Sequence, residues 1–178
     1  HTRRDSGAQG VFAFLPSGPT TLGFMKSYVD NGLKGSGIQL FAPGDLTQES
    51  DLPALGENAL GVLTTFHYAV SHDSPENKKF VEEARKAIGN PVELSFPSVG
   101  AYDGMHVIYK MIEATGGEKD AEKAVEAVKG MEWISPRGPV SIDPESRHMT
   151  QNIYLREVAK ADDGTYYNKE IQTFEKQG

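Results

Sequence analysis

Apolar residues fall first in short runs separated by turn residues, then in helical stripes, then in alternating strands. Val11-Phe12-Ala13-Phe14-Leu15 is an apolar run ended by Pro16-Ser17-Gly18-Pro19, the pattern of a buried strand running into a turn. Ser17 or Gly18 can cap the helix that follows, and Pro19 suits its first turn, where a missing N–H costs nothing. Leu22, Met25, Tyr28, Val29 and Leu33 then recur at helical spacing, and Gly32, Gly35 and Gly37 supply positive-φ positions at which a helix can stop. Ile38-Gln39-Leu40-Phe41-Ala42 is a second strand and Pro43-Gly44-Asp45 the turn after it. Asp51-Leu52-Pro53-Ala54-Leu55 reads as a short helix start, and residues 61–66, rich in β-branched side chains, as a third strand. Strand, helix, strand, helix, strand with short links is the order of parallel βαβ units.

The middle of the chain is helical. Ser74-Pro75-Glu76 starts one helix, with Phe80, Val81, Ala84 and Ile88 on its apolar face. A second runs over about 99–114, with Tyr102, Met105, Ile108, Tyr109 and Ile112 on one side and Gly116-Gly117 closing it. A third covers about 120–128, with Ala121, Ala124, Val125 and Val128 inward. Only Val92-Glu93-Leu94-Ser95-Phe96 lies between them as a candidate strand. Each helix needs a surface on which to bury its stripe, and so few strands point to a sheet encoded outside this chain. Exposed apolar helix faces also predict that the fragment self-associates.

The C-terminal part returns to β. Gly138-Pro139-Val140-Ser141-Ile142-Asp143-Pro144 is bounded by turn residues. Asn152-Ile153-Tyr154-Leu155-Arg156-Glu157-Val158 leads to Asp162-Asp163-Gly164, a hairpin signal, and a return strand carries Tyr166, Tyr167, Ile171 and Phe174.

Charge and composition narrow the function classes. A formal charge of −7 over 178 residues lacks the Lys and Arg surplus that phosphate binding requires, so no nucleic-acid partner is expected. The same charge disfavours anionic membranes, and no apolar run approaches the ~20 residues needed to span a bilayer, so no membrane insertion is expected. There is no cysteine, which excludes disulfide scaffolds, thiolate metal sites and cysteine nucleophiles. Residues 1–10 carry no apolar signal core and read as a tag or non-native start.

Several stretches resemble the type I periplasmic binding proteins of the leucine/isoleucine/valine-binding family. They are Leu15-Pro16-Ser17-Gly18-Pro19 running into a helix, and Phe41-Ala42-Pro43-Gly44-Asp45 with the acidic loop and strand after it. Phe96-Pro97-Ser98-Val99-Gly100-Ala101-Tyr102-Asp103 is a third, and residues 135–144 followed by 151–158 are the most specific. The resemblance runs from about residue 11 to the end and matches the C-terminal half of a member. It implies an α/β fold: a parallel-sheet βαβ lobe of a clamshell, incomplete, with extra helices from the second lobe. Residues 11–66 and 145–178 would form one lobe, and 67–144 the helical part of the other lobe plus crossovers. It further implies periplasmic location, with the targeting sequence outside this chain, an ABC permease as partner, and a branched-chain amino acid or similar small carboxylate held in an interlobe cleft. No cofactor and no metal are implied. An aromatic acid is the alternative ligand, since Phe96 and Tyr102 offer flat apolar walls.

Such proteins hold solutes at strand-to-helix turns, where helix N-termini present unpaired N–H groups to a carboxylate. Ser17, Gly18 and Pro19 form such a turn, and Phe96 with Ser98 another, although ordinary capping explains Ser and Pro there equally. Asp45 follows a strand end, where ligands collect; the resemblance pairs a carboxylate near it with a ligand ammonium, while a turn-forming Asp is the plain alternative. Tyr102 is a candidate contact, although the helix pattern alone favours burial. Enzyme readings are weaker. Ser71-His72-Asp73 is contiguous, whereas working triads are assembled from separate segments. His67 and His72 have no third metal ligand in reach, and Glu82 and Glu83 point about 100° apart on a helix. Gly32, Gly35 and Gly37 follow a helix, whereas a phosphate loop precedes one. Two other classes remain: a small self-contained α/β enzyme, which would need an acid cluster at its strand ends, and a sensory module on the same fold.

Overall fold

The computed structural model describes residues 7–88 and 94–178, and its chain divides into two compact units. The first comprises the chain up to Ser71 together with Tyr154–Gln172; the second comprises His72–Ile153 and Thr173–Gly178.

In the first unit the predicted βαβ order is present. Strand β1 (Gly10–Phe12) leads to helix α1 (Pro19–Asp30), β2 (Gln39–Pro43), a 3-10 turn (Gly44–Thr47), the short α2 (Leu52–Leu55) and β3 (Leu63–Phe66). β1 pairs with β2 and β2 with β3, both parallel, with Val11 opposite Leu40 and Ala42 opposite Thr64. β1 is shorter than its apolar run and stops before Pro16, which has no N–H to give a ladder. Gly18 takes φ 104° and caps α1, with Pro19 in its first turn. After the helix Gly32, Gly35 and Gly37 all have positive φ. Strand β6 (Met149–Lys160) runs antiparallel to β3, and β7 (Tyr166–Gln177) pairs with β6. Met25 and Tyr28 from α1, Leu40 and Ala42 from β2, and Val158 from β6 meet in one buried cluster.

The second unit holds α3 (Pro75–Ile88), α4 (Phe96–Thr115) and α5 (Ala121–Glu126), with strands β4 (Glu132–Ser135) and β5 (Gly138–Ile142). β4 and β5 form an antiparallel hairpin, and β5 pairs with the first residues of β6, Ser141 opposite Thr150. β4 was not expected: Glu-Trp-Ile-Ser is too short to show alternation. The candidate strand at 92–96 is not a strand where it is described. Leu94 and Ser95 have no ladder, Phe96 opens α4, and 92 and 93 lie outside the described residues. α4 buries only Val99 and Asp103, and ends at Gly116 in the left-handed region. No helix among the described residues is long and apolar enough to cross a membrane.

Candidate functional site

Parallel β1, β2 and β3 bring their carboxyl ends to one edge of the first unit, the edge at which α/β sheets collect ligands. Three segments emerge there: the 13–18 turn, the Gly44–Thr47 turn and the loop from His67.

The first turn holds Ser17, Gly18 and Pro19. Ser17 and Pro19 are exposed. The Gly18 N–H donates to Asp51 Oδ2 at 2.8 Å, so this amide, proposed from sequence as a carboxylate donor, already serves a carboxylate of the protein itself. Thr21 Oγ1 closes the turn by donating to the Pro16 carbonyl at 2.8 Å.

The second turn carries Asp45, half-buried. Beneath it lies Arg156, 1 % exposed and projecting from β6 on the same face as buried Tyr154 and Val158. Its Nη1 donates to the Tyr68 carbonyl at 2.6 Å, and its Nη2 reaches the Gly44 carbonyl at 3.4 Å and Thr64 Oγ1 at 3.2 Å. Glu49 Oε1 stands 3.7 Å from Nη1, and the Phe66 ring centroid 5.2 Å from the guanidinium carbon. Burial pushes the guanidinium below its ordinary value, while the charges of Glu49, Glu170 and Asp45 oppose that shift; it stays a cation, since guanidinium does not deprotonate in proteins. Asn168 extends the network, its amide donating to the Thr47 carbonyl at 2.8 Å and to Glu49 Oε1 at 3.1 Å.

The remaining expected site residues lie on the second unit. Ser98 Oγ accepts the Ser95 N–H at 3.3 Å in a capping box, which leaves the hydroxyl its own proton to donate. Phe96 is half-buried in the first turn of α4. Tyr102 is 47 % exposed and meets Phe80 of α3 edge-on at 5.0 Å, so its expected burial is corrected: that contact leaves nearly half of the residue open. Below this face, Asp103 accepts from Arg137 Nε at 2.7 Å, Ser135 Oγ at 2.9 Å and Trp133 Nε1 at 3.1 Å. The open depression of about 490 Å³ over β4 and β5, with Ile134, Pro139, Thr150 and Lys176 in its lining, contains none of the expected residues.

Sequence reasoning missed Arg156 and the Asp103–Arg137 pair. Arg156 had a local signal, because it occupies an inward position of the alternation Tyr154, Arg156, Val158. Asp103 and Arg137 are 34 residues apart and had none. The contiguous Ser71-His72-Asp73 forms no relay: the Ser71 hydroxyl donates to the Asn168 carbonyl, and Asp73 pairs with Lys78 at 2.6 Å, which holds its carboxyl below the usual range. Glu82 pairs with exposed Lys86, as a solvated face does. Among the described residues no group of three His, Cys, Asp or Glu side chains is placed to hold a metal ion.

Comparison with known proteins accounts for this architecture. A family model described as periplasmic binding protein matches residues 3–165. Over 175 residues the chain is 95 % identical to Leu/Ile/Val-binding protein homolog 6 of Brucella melitensis, covering 98 % of this chain and 45 % of that protein. A solute binding protein of an ABC transporter from Rhodopseudomonas palustris HaA2, solved in complex with p-hydroxybenzoic acid, superposes with a TM-score of 0.95 at 57 % identity, covering 99 % of this chain and 48 % of that one. A second, from Rhodopseudomonas palustris BisB5 with 3,4-dihydroxy benzoic acid, gives 0.87 at 41 % identity over 98 % of this chain and 47 % of that one. The chain thus spans about half the length of the relatives it matches. With its mixed α/β sheet and this match over most of its length, the chain belongs to the periplasmic binding protein family.

Proposed function

We propose that this chain is part of a solute-binding protein of an ABC importer and that its solute is a small aromatic carboxylate of the hydroxybenzoate class. The observation that carries the reading is the 57 % identity, at a TM-score of 0.95, to a solute binding protein solved with p-hydroxybenzoic acid. A second solved structure, at 41 % identity and in complex with 3,4-dihydroxy benzoic acid, supports the same choice. Ser17, Gly18, Pro19 and Asp45 on the first unit, and Phe96, Ser98 and Tyr102 on the second, remain the proposed contacts. Residues 11–66 and 145–178 are assigned to one lobe, and 67–144 to the helical part of the other lobe plus crossovers. Export to the periplasm and delivery to an ABC permease belong to the same reading, with no chemical step.

The test is a thermal melt of a full-length protein bearing this sequence against 4-hydroxybenzoate, 3,4-dihydroxybenzoate, benzoate and leucine. A ligand at 100 times its dissociation constant stabilises the folded state by about 2.7 kcal/mol. The hydroxybenzoates should raise the midpoint with dose and leucine should not; a melt that only leucine moves refutes the aromatic reading.

A branched-chain amino acid is the second reading, favoured by the name of the 95 % identical relative. It requires Asp45 to meet an ammonium group. Under it, Asp45→Asn weakens leucine selectively and leaves benzoates alone; equal affinity for leucine in both proteins removes that role.

A further inference from the structure

Arg156 is an expensive residue where it stands. It is buried in a strand whose neighbouring inward positions are Tyr154 and Val158, and an apolar side chain there would fill the space without desolvating a charge. Replacing a buried charge by an apolar residue is often neutral or stabilising, so stability alone does not explain it. What the guanidinium supplies is reach in several directions at once. Nη1 donates to the Tyr68 carbonyl at 2.6 Å, in the loop after β3. Nη2 reaches the Gly44 carbonyl at 3.4 Å and Thr47 Oγ1 at 3.5 Å, in the turn after β2. Nε and Nη2 both face Thr64 Oγ1, at 3.3 and 3.2 Å, within β3 itself. One planar fork therefore ties two adjacent carboxyl-end turns to the strand between them. Lysine, a single point donor on a flexible stem, cannot reproduce this. Gly44 leaves room for the fork: a Cβ there would lie 2.5 Å from Nη2 and 2.3 Å from Phe66 Cγ.

We propose that Arg156 is a positioning residue for solute binding, setting the spacing of the Gly44–Thr47 turn and the 67–70 loop so that Asp45 and the backbone beside it face the solute in one fixed arrangement. The inference rests on the reading that solute meets the carboxyl ends of β1, β2 and β3. It acts on the bound complex more than on folding, because an unanchored turn retains its chain connections but loses its register.

The test compares Arg156→Lys with the unaltered full-length protein by calorimetry with 4-hydroxybenzoate and with leucine, alongside melts of the ligand-free proteins. Val158→Ala, a buried truncation on the same strand, is the structural control. Arg156→Lys should weaken the bound ligand by about tenfold, mainly through faster dissociation, at a ligand-free midpoint no lower than that of Val158→Ala. Val158→Ala should lose midpoint and keep its affinity within about twofold. If Arg156→Lys also keeps its affinity, or loses it only in proportion to midpoint as the control does, the positioning role is overturned. If it does not fold, Thr64→Val decides, since it removes the 3.2 Å acceptor and keeps the shape: about threefold weaker binding supports the role, and unchanged binding overturns it. An unaltered protein that binds neither ligand refutes the solute-binding reading itself, and this inference with it, which is a different failure from a variant that binds as well as its parent.

Discussion

Gly44 is the position at which a single atom matters most. Its backbone is not in the left-handed region, so the requirement for glycine is one of space: an added Cβ would lie 2.3 Å from Phe66 Cγ and 2.5 Å from Arg156 Nη2. Neither neighbour is a loose chain end, since the guanidinium is held by Tyr68 and Thr64 and the Phe66 ring lies against it. Overpacking at such a site costs about 1–3 kcal/mol. Gly44→Ala should therefore lower the thermal midpoint by about 5 °C, and a midpoint equal to that of the parent contradicts the close approach. The exposed ion pairs Lys26–Asp30 and Lys86–Glu82 are expected to contribute little by comparison, because water and salt screen them.

At the scale of elements, α4 carries the clearest consequence of the fold. Tyr102, Met105, Ile108, Tyr109 and Ile112 recur on one side of the helix and are all between 42 % and 58 % exposed. That stripe was legible in the sequence, because the helical period of 3.6 fixes the face. The chain expressed alone should accordingly self-associate, with a light-scattering mass above 19.4 kDa. Replacing Tyr109 and Ile112 by Lys should return it to that mass; an unaltered chain that is already a monodisperse monomer contradicts the account. Other elements were legible for equally local reasons. Pro19, Pro75 and Pro97 mark helix starts, Gly116 a helix stop, and Asp163-Gly164 the β6–β7 turn, where Asp163 Oδ1 accepts the Thr165 N–H at 2.9 Å. β4 was not legible. Its four residues expose Glu132 and Ile134 and bury Ser135, which inverts the usual polarity of inside and outside. Ser135 is inward because Asp103 accepts its hydroxyl proton, a partner 32 residues away that no local pattern announces.

At the scale of the whole chain, the parallel order of β1, β2 and β3 places the proposed contacts of the first unit at one sheet edge, and that much followed from the strand–helix alternation. What those contacts do was less legible. Gly18 looked like a free amide donor until Asp51, 33 residues away, took its N–H, at the distance where pattern reading stops and packing decides. The most direct measurement is calorimetric titration of a full-length protein bearing this sequence with 4-hydroxybenzoate, repeated in the presence of saturating leucine. The account predicts saturable one-to-one binding of the benzoate that leucine does not displace. Binding of leucine with no heat from the benzoate would contradict it.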